Sequence, residues 1–290
     1  MARRSERGPL RGGAVVTGAG RGLGRELARE LAARGLVVHA TDRDGEAAAR
    51  TAAELGGGAW SSQLDVTDAA ACEQAARATA ARAGALAVWV NNAGVMPVGR
   101  AWEHDAQERR TAVAVNLLGT MNGTVAALAL MRPRGAGRVV NVVSLAGLVA
   151  PPGEVLYAAT KHAALAFSVG TELDLRLSGA RDVHVSAICP DAMLTPMLAE
   201  VAHAPAAALS WSGALLAPER VARRAVELLE RPRPLVSVPR WRGGALRAYA
   251  AAPRLAVRVQ PAAVAVARAR QRARARRAPA AAETPAAGRG

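Results

Sequence analysis

Tyr157 and Lys161 stand four residues apart in the stretch LYAATKHAAL, and Lys161 is the only lysine among 38 Lys+Arg positions. The alanines between them favour helix, so the phenol and the ammonium share one helical face. A phenol titrates near ~10, too high for ready proton exchange at neutral pH, and a neighbouring ammonium favours the phenolate. Arginine would supply the charge but not a compact, rotatable donor. A lysine retained at this spacing, in a chain otherwise charged by arginine, predicts an acid–base centre at Tyr157.

A second chemistry lies near the start of the chain. The stretch VVTGAGRGLGRELA places Gly18, Gly22 and Gly24 between a β-branched run and an Ala/Leu-rich helical stretch. A strand-to-helix turn this tight needs residues without Cβ, and its backbone must come close to a pyrophosphate. The helix start then offers unpaired N–H groups to the anion. The next strand ends at Asp42, 18 residues after Gly24. A carboxylate there binds a ribose diol and repels a 2′-phosphate, which favours NAD over NADP. Arg21 in the loop and Arg43 after the carboxylate are either cationic partners for a phosphate or surface charge.

The elements that must position these groups follow from periodicity. GAVVT (13–17), LVVHAT (36–41), LAVWV (86–90), RVVNVVS (138–144) and VHVSAIC (183–189) are continuous apolar runs, with SSQL and PLVSV (234–238) as weaker strands. Helical stretches at 22–34, 45–55, 68–83, 109–131, 156–178 and 218–230 alternate with them. The alternation predicts one α/β domain with a parallel sheet covered on both faces.

The net charge of +15 is concentrated at the C-terminal end, where Arg268, Arg270, Arg272, Arg274, Arg276 and Arg277 fall within ARARQRARARRAP. A solvated tail is the simplest reading, and no base-reading motif predicts a specific nucleic-acid partner. The N-terminal MARRSERGPLRGG leads into no apolar stretch, and no run of ~18 apolar residues occurs, so neither signal peptide nor membrane span is expected. Cys72 and Cys189 have no metal-ligand spacing, which points to a reducing, cytoplasmic setting and no metal site.

Four further features accompany the Tyr157/Lys161 pair: TGAGRGLG, NNAG (91–94) after the fourth strand, Ser144 thirteen residues before Tyr157, and Asn116 in AVNLLGT. With these, residues 12–240 resemble the short-chain dehydrogenase/reductase superfamily in its single-domain form. The resemblance implies a Rossmann-type doubly wound, mainly seven-stranded parallel sheet. It implies an NAD(P)-dependent oxidoreductase acting on an alcohol or carbonyl. Tyr157 would be the general acid or base, and Ser144 would bind the same substrate oxygen. Lys161 would hold the nicotinamide ribose and depress the phenol, while Asn116 would position a relay water. Cofactor contacts would come from Gly18, Arg21, Gly22, Leu23, Gly24, Asp42 and Arg43. Asp65 and Val66 would flank the adenine, Asn92, Ala93 and Gly94 would line the nucleotide, and Pro190 and Thr195 would lie at the nicotinamide end. Two departures stand out: Pro190-Asp191 where the family usually has Pro-Gly, and Ala87 where an acid is common. The Pro190-Asp191 change predicts a differently shaped loop beside the nicotinamide.

A lid at about 192–216, rich in Met, Leu and Ala with Trp211, suggests a lipophilic substrate. The resemblance also implies a homodimer or homotetramer built on 109–131 and 156–178. Residues 1–11 read as a basic segment and 241–290 as an Ala/Arg/Pro-rich extension, partly disordered. Pro253 and Pro261 are expected to break any long helix there, so a peripheral contact with anionic lipid is not the favoured reading. The alternatives to an enzyme are a non-catalytic NAD(P)-binding regulator, or accessory membrane or nucleic-acid binding through the arginine tail.

Overall fold

The computed structural model describes residues 10–213 and 215–277, with side chains through residue 273. The rest of the expected terminal segments, 1–9 and 278–290, lies outside the described residues. The apolar runs form one parallel sheet of β1 (Gly13–Thr17), β2 (Val37–Asp42), β3 (Trp60–Gln63), β4 (Leu86–Asn91), β5 (Gly137–Val142), β6 (Val183–Pro190) and β7 (Leu235–Val238). Their order in space is β3-β2-β1-β4-β5-β6-β7. The winding direction reverses between β1 and β4, so a crevice opens at the carboxyl ends of these strands.

Ten helices accompany the sheet among the described residues: α1 (Gly22–Ala32), α2 (Gly45–Leu55), α3 (Ala69–Ala83), α4 (Ala106–Val113), α5 (Gly119–Arg134), α6 (Val155–Leu177), α7 (Pro196–Glu200), α8 (Pro218–Glu230), α9 (Arg240–Ala250) and α10 (Pro253–Arg277). Alternate strand residues face opposite layers. Ala14, Val16, Val88 and Val90 pack with Leu23, Leu27 and Leu31 of α1 and Val221 and Leu228 of α8. Val15 and Trp89 pack instead with Cys72 of α3, Met131 of α5 and Leu175 of α6. Acidic N-caps set the helix starts: Asp44 accepts from Ala47 N on α2, Asp68 from Ala71 N on α3, and Asp105 with Glu108 forms a capping box on α4.

The stretch Ala106–Arg134 is long and apolar enough to cross a membrane by length and composition alone. It is a core helix on one side, since Ala126, Ala127 and Met131 pack onto the sheet.

The C-terminal extension differs from expectation. Residues 240–277 form α9 and α10, and α10 runs through Pro261. Pro253 opens the helix, where its missing N–H costs nothing. Tertiary contacts hold the rest. Gln271 Nε2 donates to Ala202 O at 2.8 Å and to Ala204 O at 3.0 Å, and Ala256 and Ala267 are buried.

Candidate active site

The turn between β1 and α1 is closed by backbone contact. Gly18 and Gly22 have φ of 64° and 55°, in the left-handed region that glycine adopts freely. A Cβ on Gly24 would fall 2.0 Å from Gly18 O. Asn92 Nδ2, at the end of β4, donates to Thr17 O at 3.0 Å and Gly18 O at 3.1 Å, tying the turn to the sheet. Unlike α2, α3 and α4, α1 has no side-chain N-cap, and its first residues, Gly22, Leu23 and Gly24, line the cavity. Asp42 Oδ2 accepts from Gly20 N at 2.9 Å, and Oδ1 from Asp44 N at 3.0 Å. The carboxylate is thereby fixed at the cavity edge with lone pairs to spare. This cradle, an uncapped helix start and a fixed carboxylate fit an anionic dinucleotide.

A cavity of about 540 Å³ runs from this turn to the end of α6. It is lined by Gly18, Arg21, Gly22, Leu23, Gly24, Asp42, Arg43, Asp65, Val66, Asn92, Ala93, Gly94, Ser144, Tyr157, Lys161, Pro190 and Thr195. These are all of the residues expected from sequence except Asn116. Asn116 is fully buried beside it: Val95 N donates to its Oδ1 at 2.8 Å, and its Nδ2 donates to Val95 O at 2.9 Å and Thr160 Oγ1 at 3.0 Å. Both Nδ2 protons are thus engaged by protein, while Oδ1 keeps a second lone pair. It sits in a π-helical turn, Ala114–Leu118, between α4 and α5.

The reacting pair lies at the cavity floor. Tyr157 and Ser144 both line it, and the Ser144 hydroxyl neighbours the phenol. Ala146 N donates to Ser144 Oγ at 3.1 Å, which leaves the serine proton free to be donated. Lys161 Nζ lies 5.7 Å from the centre of the Tyr157 ring and donates to Val142 O at 3.0 Å. The electrostatics differ from the sequence expectation. Burial pushes the phenol above its ordinary value, with the Ser144 hydroxyl opposing and Glu154 adding to the rise. Burial also lowers Lys161 to about 8. Burial therefore disfavours the charged form of both groups.

Asp65 accepts from Thr67 N at 2.9 Å and Thr67 Oγ1 at 2.8 Å, bonds that hold its carboxyl below the usual range. Arg21 is paired with Glu200 of α7 at 2.7 Å. Asp191, where glycine was expected, has no positive φ. Its Oδ2 instead lies 3.1 Å from Arg242 Nε, joining the end of β6 to α9.

The profile of the short chain dehydrogenase family matches residues 13–206. The chain belongs to the short-chain dehydrogenase family. It is 40% identical over 157 residues, 54% of this chain and 66% of the relative, to the inactive 2-(S)-hydroxypropyl-CoM dehydrogenase 2 of Xanthobacter autotrophicus. It is 34% identical over 187 residues, 63% of this chain and 71% of the relative, to the D-threitol dehydrogenase of Mycolicibacterium smegmatis. A Burkholderia phymatum short-chain dehydrogenase/reductase, solved in complex with NAD, superposes with a TM-score of 0.78 at 27% identity, covering 86% of this chain and 96% of that one. Family membership makes this chain an oxidoreductase of the nicotinamide-dependent class.

Sequence reasoning missed several of the cavity's wall residues. Glu154, only 3% exposed, lines the cavity three residues before Tyr157 and accepts from Ser210 Oγ at 2.7 Å. Burial raises it to about 7. Arg242, Leu246 and Tyr249 of α9 and Gln260 and Ala263 of α10 also reach the cavity. Glu154 was visible as a lone acid in PPGEVL, but its burial was not.

Proposed function

We propose that the chain transfers hydride between NAD and a secondary alcohol or ketone with an apolar body, using Tyr157 as general acid or base. One observation carries this reading: Ser144, Tyr157 and Lys161 line the same cavity as the Gly18–Gly24 turn and Asp42. A bound nicotinamide supplies the hydride acceptor or donor and, when oxidised, adds positive charge.

The chain's own residues do the rest. In oxidation Tyr157 takes the hydroxyl proton while Ser144 donates to the same oxygen; in reduction Tyr157 returns the proton. Because burial opposes the phenolate, nearby positive charge matters, and Lys161 loses its charge as pH rises through about 8. Asn116 acts as a positioning residue through Val95 and Thr160. Asp42 supports NAD over NADP, because a 2′-phosphate would meet a fixed carboxylate while Arg21 is held by Glu200. Met96, Leu145, Val149, Met193, Leu209 and Leu246 on the walls support an apolar substrate. Exposed Leu118 at the start of α5, Val125 on α5, and Leu173 and Leu177 on α6 support a homodimer or homotetramer built on these helices.

The relative named as inactive gives a second reading, a cofactor-binding protein without turnover. The intact Ser144, Tyr157 and Lys161 set argues against it. Screening apolar secondary alcohols and ketones by nicotinamide absorbance, with both cofactors, decides between them. The expected result is turnover of at least one class, with NAD preferred. Tight cofactor binding with no turnover across the panel would establish the second reading.

A further inference from the structure

The two faces of α10 meet different surroundings. Its inner face is anchored by Gln271 on Ala202 and Ala204, by Arg270 Nη1 on Ser212 O at 2.6 Å, and by buried Ala256 and Ala267. Gln260 and Ala263 reach the cavity from the same helix. On the outer face, Leu255, Val259, Ala262, Val266, Ala269 and Ala273 are all exposed and recur at steps of four and three. On a helix of ~3.6 residues per turn that spacing draws one straight stripe. Leu255 is 58% and Val266 54% exposed, so the stripe is uncovered along its length.

Arg254, Arg258, Arg268 and Arg272, also exposed, run beside the stripe. None of the four is ion-paired among the described residues. The sequence carries no Asp or Glu between Glu230 and Glu283, so no local counter-charge is at hand. An apolar line bordered by unpaired cations matches the interface of an anionic bilayer, where apolar side chains leave water and arginines meet headgroups. A second copy on the same stripe would bring two rows of arginines together, a like-charge arrangement. A nucleic acid would neutralise the arginines but leave Leu255, Val259 and Val266 in water.

We propose that the outer face of α10 docks the protein peripherally on an anionic lipid surface, bringing the cavity rim at Gln260 and Ala263 close to the bilayer. The prolines that argued against such a segment in the sequence do not interrupt it, because the helix continues through Pro261. The proposal does not depend on the reaction assigned above.

The test is sedimentation of the full chain with unilamellar vesicles of phosphatidylcholine containing one-third phosphatidylglycerol, at physiological salt, against phosphatidylcholine alone. Binding to the anionic vesicles is expected to be at least about tenfold tighter. The triple variant Leu255→Asn/Val259→Asn/Val266→Asn, with circular dichroism and thermal midpoint unchanged, is expected to lose about tenfold in vesicle affinity. Arg254→Gln/Arg258→Gln/Arg268→Gln/Arg272→Gln is expected to lose more. Equal binding to neutral vesicles, or no binding to either, overturns the proposal. So does undiminished binding by the apolar variant with full competition by duplex DNA, which would mark a general polyanion site. A vesicle-independent dimer in light scattering, lost in the apolar variant, would assign the stripe to a second copy instead.

Discussion

Between Gly18 and Gly24 the binding surface is backbone, shaped by contacts within a few residues and by two strand ends. Between Asp191 and Ser212 it is side chains, held by residues as distant as Arg242, Arg270 and Gln271. The first region leaves no room for variation, since an added Cβ at Gly24 would meet Gly18 O at 2.0 Å. The second is fastened by hydrogen bonds and one ion pair to helices outside the family match, which ends at residue 206. A shared cofactor demands a fixed cradle, whereas a particular substrate is served by a lid whose anchors differ from chain to chain.

The comparison breaks first at Gly24. Gly24→Val is expected to weaken NAD binding by more than about a hundredfold in calorimetry, because neither the turn nor a helix N-terminus can move aside. Retained affinity would mean that the backbone cradle is not the binding surface.

Glu154 probes the other region. Burial holds it near 7 against an ordinary 4.5, so between these values the folded protein binds a proton that the unfolded chain has released. Stability therefore falls as pH rises from 4.5 through 7, by at most about 3 kcal/mol, with the loss complete above 7. Glu154→Gln is expected to raise the thermal midpoint by several degrees at pH 8 and hardly at all near pH 4. It should also move the rising limb of the oxidation pH–rate profile to lower pH, since Glu154 adds to the rise of the Tyr157 phenol. An unchanged stability profile would place Glu154 in water rather than in the cavity wall.

Smaller effects sharpen the division. Asp42→Ala is expected to narrow the NAD/NADP ratio of kcat/KM by about tenfold, read from initial rates with each cofactor. Ala263→Phe is expected to change the KM for the alcohol a few-fold and leave that for NAD unchanged, since α10 lines the cavity while packing chiefly on α9 and residues 205–211.

What the sequence made legible follows the same divide. The strands, the glycine turn, Asp42, Asn92 and the Ser144–Tyr157–Lys161 spacing are local patterns, and a short window carries their meaning. The Asp191–Arg242 pair joins residues 51 positions apart, so only the fold brings it together. The helix through Pro261 is held by Gln271 and Ala267 against its local propensity, and that anchoring is tertiary. The phenol's surroundings were hidden for a related reason: sequence supplies the neighbouring ammonium but not the burial that raises the phenol.

The central claim is that Tyr157, beside Ser144 in the dinucleotide cavity, moves the proton in the hydride-transfer reaction. Comparing Tyr157→Phe with the unaltered chain, by turnover and by NAD binding on the same samples, tests it most directly. The account predicts a fall in kcat of about 10²–10⁴-fold with NAD affinity within about twofold. Turnover that survives the loss of this one hydroxyl would contradict it.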